Sequence, residues 1–321
     1  MEVVSRLNQS TTIMGRAIGT ATAAFLLFTS LCVTAQESGS RGADEATSNP
    51  PLSDPDSASL YFVLSDNHGR PAPGVVLSKE DVQLEDKSGP VEVLEVRSAP
   101  DVPLRLALVL DLSGSLKRGG TSYLSPSIVE FFRRTLRPGL DTAIVVAFND
   151  KVTKAAPFDA EQLSEELPRA AFRGETALYE AIYLASQDLA ASARGPERRV
   201  ILLLSDGENT MRTRTLEEAI AAAQQARVAI YAMDIVGPPH KSGPRALRRL
   251  ADETGGRVFF PDDLKDAQRK LAEIGSDLAP GYLLVCRPAK LDRNDDKFRK
   301  TRIRITKDRN LRVRAQMPLA P

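Results

Sequence analysis

A doubly wound, mostly parallel α/β sheet with a small β subdomain made from both chain ends is predicted by three features of the 321-residue sequence. From Leu104 onward, near-continuous aliphatic runs alternate with segments whose apolar residues recur every three or four positions, the pattern of a parallel sheet covered on both faces by helices. Before Leu104 and after Gly281 the chain instead shows short strand-like runs broken by turn residues. Those two ends carry opposite charge: residues 36–100 hold 12 acidic and 5 basic side chains, residues 287–314 hold 12 basic and 4 acidic. Opposite charges facing each other across paired strands stabilise a sheet by about 0.2–1 kcal/mol each.

In chain order, residues 1–35 read as a secretory signal peptide. Arg16 precedes an uncharged stretch from Ala17 to Gln36 that contains the apolar run Ala23 to Phe28 and ends in Val33-Thr34-Ala35, so cleavage is predicted after Ala35. Met14-Gly15-Arg16 offers an alternative start. Gly19 and four threonines make the run a poor membrane span, and Leu31 before Cys32 is a poor lipoprotein signal. Residues 36–59 are Ser, Gly, Pro, Asp and Ala, a composition for a disordered linker. The β segment 60–100 follows, with strands at Leu60 to Leu64, Val75 to Leu77, Val82 to Glu85 and Val91 to Val96, and Ser78 with Asp81 capping a helical turn. The α/β domain, residues 101–279, has strands at Leu104 to Leu110, Thr142 to Phe148, Val200 to Leu204, Val228 to Ile235 and Arg257 to Phe260. Val152 to Phe158 follows Asn149-Asp150-Lys151 too closely for a parallel crossover and is expected as an antiparallel edge strand. Helical spacing begins at Ser125-Pro126, read as an N-cap and first-turn proline, and recurs over Leu178 to Leu189 and Leu264 to Leu278. Residues 280–321 return to strands at Tyr282 to Cys286, Arg302 to Thr306 and Leu311 to Ala315, the last two closing round Lys307 to Asn310. Arg302, Arg304, Arg312 and Arg314 are expected on a solvated face.

Composition narrows the chemistry. With Lys+Arg 43 against Asp+Glu 42, and 41 of each once residues 1–35 are removed, no global field draws nucleic acid or an anionic membrane. Two histidines, His68 and His240, and two cysteines, Cys32 and Cys286, cannot build a Cys/His zinc cage, and the mature chain keeps one cysteine, expected as a buried free thiol.

The site lies at the strand ends. The first parallel strand runs into Asp111-Leu112-Ser113-Gly114-Ser115, and ligands of doubly wound sheets bind where such strands end and their order reverses. Gly174-Glu175-Thr176-Ala177 opens a helix with another hydroxyl, and the strand ending at Leu204 continues into Ser205-Asp206-Gly207-Glu208. Asp111, Ser113, Ser115, Thr176 and Asp206 together supply hard oxygen ligands suited to Mg²⁺, with Mn²⁺ or Ca²⁺ as substitutes. A lone Asp and Ser would merely cap a loop; the three elements in order argue for more.

At these residues the sequence resembles the von Willebrand factor type A domain with its metal-ion-dependent adhesion site. The resemblance runs from about Leu104 to Leu278, and the flanks, with Tyr282-Leu283-Leu284-Val285-Cys286-Arg287-Pro288 after the domain, are similar to a narrower group of secreted bacterial proteins. It implies that Ser113, Ser115 and Thr176 bind the ion directly and that Asp111 and Asp206 hold it through waters. The ion would then keep a position for an Asp or Glu of a protein partner. Related sequences usually have glycine where this chain has Glu175, which would weaken partner binding if it turned inward. The expectation is therefore a monomeric, non-enzymatic, cation-dependent binding protein of the periplasm or cell surface, with no membrane span after signal cleavage. The alternatives are a Mg²⁺ phosphatase of the haloacid dehalogenase type, which wants a second aspartate where Ser113 stands, and a metal-independent structural envelope protein. Loops 116–124, 210–215 and 237–243 are expected to set partner specificity, with Arg212 and Arg214 on the rim.

Overall fold

The computed structural model describes residues 57–72, 74–86, 88–114, 124–157, 160–166, 174–191, 196–235, 243–287 and 301–318. The expected signal peptide, most of the linker and Ser115 lie outside these residues. The elements are β1 (Ala58–Ser65), β2 (Val82–Asp86), β3 (Gly89–Ser98), β4 (Leu104–Asp111), α1 (Ser125–Thr135), β5 (Thr142–Phe148), β6 (Val152–Pro157), α2 (Ala160–Glu166), α3 (Leu178–Ala191), β7 (Arg198–Leu204), α4 (Leu216–Gln225), β8 (Val228–Met233), α5 (Gly243–Thr254), β9 (Val258–Phe259), α6 (Leu264–Asp277), β10 (Tyr282–Arg287), β11 (Arg302–Ile305) and β12 (Arg312–Pro318). Among the described residues no helix is long and apolar enough to cross a membrane.

The larger sheet runs β6-β5-β4-β7-β8-β9, parallel throughout except for the antiparallel edge strand β6. Its central strands alternate between two cores. Leu106, Leu108, Leu110, Leu202 and Leu204 pack under α1 and α6, while Ala107, Val109, Ile201 and Leu203 pack under α3, α4 and α5. Because both faces are covered, β7 is buried at every position, which is why its sequence is continuously apolar after Arg199. β4 lies between β5 and β7, so the chain leaves to one side and later returns to the other. The carboxyl end of β4 is the switch point.

The second sheet is wholly antiparallel, in the order β11-β2-β3-β10-β1-β12. The period of two along β1 and β10 explains how it is attached. Phe62, Leu64, Tyr282 and Leu284 point into the β subdomain's own core, whereas Tyr61, Val63, Leu283 and Val285, with Ala315 and Met317 of β12, join the core beneath α1 and α6. Each Val, Leu, Phe or Met among them removed from water contributes about 1.5–3 kcal/mol. One shared core thus welds the two sheets.

A polar cluster crosses the same seam. The fully buried Arg198 stacks on Tyr61 at 4.5 Å and donates to the Leu278 carbonyl at 2.8 Å. Asp277, completely buried at the end of α6, meets Arg257 at 2.6 Å and Arg314 of β12 at 2.6 Å, the latter as a charge contact outside hydrogen-bond angles. Burial raises the Asp277 carboxyl above its ordinary value despite both guanidinium groups.

Several sequence expectations need correction. β11 and β12 do not form a hairpin round Lys307 to Asn310 but occupy opposite edges. β11 pairs with β2, setting Arg302 opposite Glu85, and β12 pairs with β1 so that Ala315 and Met317 extend its buried face. Arg314 is accordingly not on a solvated face: it also donates to the Gly69 carbonyl at 2.7 Å. Val75 to Leu77 is not a strand, since Val76 stands 80% exposed and its carbonyl accepts from Lys307. β1 begins at Ala58, inside the expected linker. Leu124, not Ser125, takes the cap of α1, with Pro126 in the first turn. The turn at Lys79–Asp81 does carry the Ser78–Asp81 capping box.

Cys286 is a buried free thiol whose pKa burial pushes up to about 11. Thiol reagents should therefore label the native protein slowly at pH 8, with rapid modification after denaturation. Equally fast labelling of both forms would place Cys286 on the surface.

Candidate metal site at the carboxyl edge of the larger sheet

Three loops meet above the switch point. The first leaves β4 at Asp111, the second enters α3 through Gly174 to Ala177, and the third leaves β7 through Ser205 to Met211. They are stitched by short-range bonds. The Gly114 amide donates to the Gly174 carbonyl at 3.3 Å, and Leu112 and Ala177 donate to the Phe148 and Asn149 carbonyls after β5, both at 2.7 Å. The Thr210 and Met211 amides donate to the Thr176 carbonyl at 3.1 Å, the Thr176 amide donates to the Thr210 hydroxyl at 2.8 Å, and the Tyr179 amide of α3 donates to Asn209 Oδ1 at 3.2 Å.

Asp111, Ser113, Thr176 and Asp206 are all buried at this junction. Asp111 Oδ1 accepts the Ser113 amide at 2.9 Å, and its Oδ2 accepts the Ser205 hydroxyl at 2.6 Å. Burial, with a smaller contribution from the charge of Asp206, pushes the Asp111 carboxyl up to about 6, against the hydrogen bonds from Ser113 and Ser205 that favour its charged form. Asp206 Oδ1 accepts the Glu208 amide at 3.0 Å, but its Oδ2 is buried without a hydrogen-bond partner among the described residues. A buried carboxylate oxygen left unpartnered is costly unless a cation or water reaches it.

Glycine lets the third loop approach α5. Gly207 has φ +80°, and a Cβ there would collide with the Gly243 carbonyl and the Leu247 side chain, while a Cβ on Gly243 would strike the Asp206 carbonyl. The mutual contact of two glycines fixes the backbone on which Asp206 sits.

Among the described residues no three His, Cys, Asp or Glu side chains stand together as a metal cage. The donors at this edge are instead two carboxylates and the hydroxyls of Ser113 and Thr176, an all-oxygen set of the kind hard divalent cations take. Glu175 is exposed and so does not fill the site from the side. Of the rim arginines, Arg214 is not simply solvated: it pairs with Glu180 at 3.1 Å and lies over the Tyr183 ring at 3.9 Å, whereas Arg212 is exposed. Loops 116–124 and 237–243 lie almost wholly outside the described residues.

Sequence reasoning missed Ser205 and Thr210. Their signal is positional: each is a hydroxyl residue close to Asp206 on the strand-end loop, where side-chain-to-backbone bonding is favoured over continued secondary structure.

The family model of the von Willebrand factor type A domain matches residues 106–273, more than half of the chain. Solved structures with a similar fold include proximal thread matrix protein 1 from the mussel byssus, 18% identical over 65% of this chain and 50% of that one, with a TM-score of 0.46. A von Willebrand factor type A protein from Catenulispora acidiphila is 18% identical over 69% of this chain and 50% of that one, with a TM-score of 0.47. The manganese-loaded TRAP protein of Plasmodium vivax is 15% identical over 65% of this chain and 80% of that one, with a TM-score of 0.45. The chain spans about half the length of the first two. No curated protein matches its sequence.

Proposed function

Because the chain belongs to the von Willebrand factor type A family, we propose that it is a secreted, divalent-cation-dependent binding module that takes an Asp or Glu side chain from a protein partner. The observation that carries this reading is the unpartnered, buried Asp206 Oδ2 at a junction that also buries Asp111 and the hydroxyls of Ser113 and Thr176. In this proposal Asp111, Ser113, Ser115, Thr176 and Asp206 hold Mg²⁺, with Mn²⁺ or Ca²⁺ able to replace it. The bound ion supplies electrophilicity toward a carboxylate. The chain's own residues do the rest: Ser113 and Ser205 hold Asp111 in place, and the Thr210 hydroxyl and amide hold the Thr176 backbone. The exposed Glu175 leaves the mouth open to a partner. A hydroxyl residue, Ser113, stands where a phosphatase would want a second carboxylate for acid–base work, which favours binding over turnover. Export rests on the reading of residues 1–35 as a signal peptide.

The test is affinity capture from a cell-envelope extract with wild type and Asp111→Ala, each in Mg²⁺ and in EDTA. Partner proteins should be recovered by wild type in Mg²⁺ alone. The same proteins in all four conditions would replace metal-dependent binding with a structural role.

A further inference from the structure

Two hydroxyls on the third loop each reach across to a different neighbour. Ser205, fully buried, donates to Asp111 Oδ2 at 2.6 Å and accepts the Gly207 amide at 3.0 Å, so one side chain ties the first loop to the turn that carries Asp206. Thr210, exposed at the other end of the same loop, accepts the Thr176 amide at 2.8 Å through its hydroxyl, while its own amide donates to the Thr176 carbonyl at 3.1 Å. Asp206 stands between these two struts. All three loops are therefore set relative to one another by hydroxyls that are not themselves among the expected ligands.

We infer that Ser205 and Thr210 are positioning residues that preorganise the cation site, Ser205 by aiming Asp111 and Thr210 by fixing the backbone of Thr176. Groups that orient metal ligands typically change affinity by about 10-fold to 100-fold when removed. Thr210 works through geometry alone. Its hydroxyl accepts a backbone amide, so a side chain of the same shape without that acceptor should loosen Thr176 although nothing charged has changed.

This inference rests on the cation reading above, and the experiment separates the two. Binding of MnCl₂ is measured by calorimetry on wild type, Asp111→Ala, Ser205→Ala, Thr210→Val and Thr210→Ser, with each fold checked by circular dichroism without metal. Wild type should bind, Asp111→Ala should not, Ser205→Ala and Thr210→Val should bind about 10-fold to 100-fold more weakly, and Thr210→Ser, which restores the acceptor, should return to the wild-type affinity. If Ser205→Ala fails to fold, the exposed Thr210 pair decides. Wild-type affinity in Thr210→Val, or a loss that Thr210→Ser does not rescue, overturns the positioning role while leaving the cation site standing. No binding by wild type, or binding that survives in Asp111→Ala, overturns the cation reading and the struts with it.

Discussion

Asp277→Ala is expected to destabilise the protein by about 3–5 kcal/mol, because it strips a buried charge of its partner instead of removing a matched pair. The Arg314 guanidinium is only 13% exposed and reaches from β12 into the α/β domain to meet Asp277. With the carboxylate gone, that cation stays buried near Tyr231, held by the Gly69 and Glu273 carbonyls, which carry no full charge to balance it. Arg257, the second partner, is 40% exposed and can turn to water or keep its bond to Glu273, so Arg257→Ala should cost much less. Denaturant unfolding measures both. A loss under about 1 kcal/mol for Asp277→Ala would mean that the apolar seam of Tyr61, Val63, Leu283, Val285 and Met317 holds the two sheets without help from the ion cluster.

The second large effect concerns the proposed cation. An ion that binds only the native state raises stability by about 2.7 kcal/mol when present at a hundred times its dissociation constant. Wild type should show that gain in Mg²⁺ or Mn²⁺ as a higher melting temperature, and Asp111→Ala and Thr176→Ala should show none. Thr176 is the more demanding case. Its removal leaves both buried carboxylates in place, so a persisting shift in Thr176→Ala would mean that the carboxylates alone hold the ion. An unchanged shift in both variants would put the ion elsewhere.

The α/β centre was legible because each parallel strand is buried on both faces and so reads as an unbroken aliphatic run, as in Val200 to Leu204. The edge strand β6 was legible from connection length alone. Partner choice in the small sheet was not. Charge complementarity brought the two chain ends together, but β11 and β12 looked like a hairpin because turn residues separate them. What places them at opposite edges is a third body: the face of β12 bearing Ala315 and Met317 is needed under the α/β domain, and that demand appears only in three dimensions. Likewise Arg314, one of four alternating arginines, could not be told from its solvated neighbours, since its partner Asp277 is 37 residues away on another element. At the candidate site, motif and order singled out Asp111, Ser113, Thr176 and Asp206, which the structure buries at one junction. Ser205 and Thr210 were not, because a hydroxyl that bonds a carboxylate or a backbone amide carries no spacing of its own.

The most direct measurement is a count of bound Mn²⁺, read from the loss of the free-ion paramagnetic resonance signal as wild type and Asp111→Ala are titrated side by side. A site built from the three loops predicts saturable uptake of one ion per chain in wild type and none over the same range in Asp111→Ala. Equal saturable uptake by both proteins would contradict it.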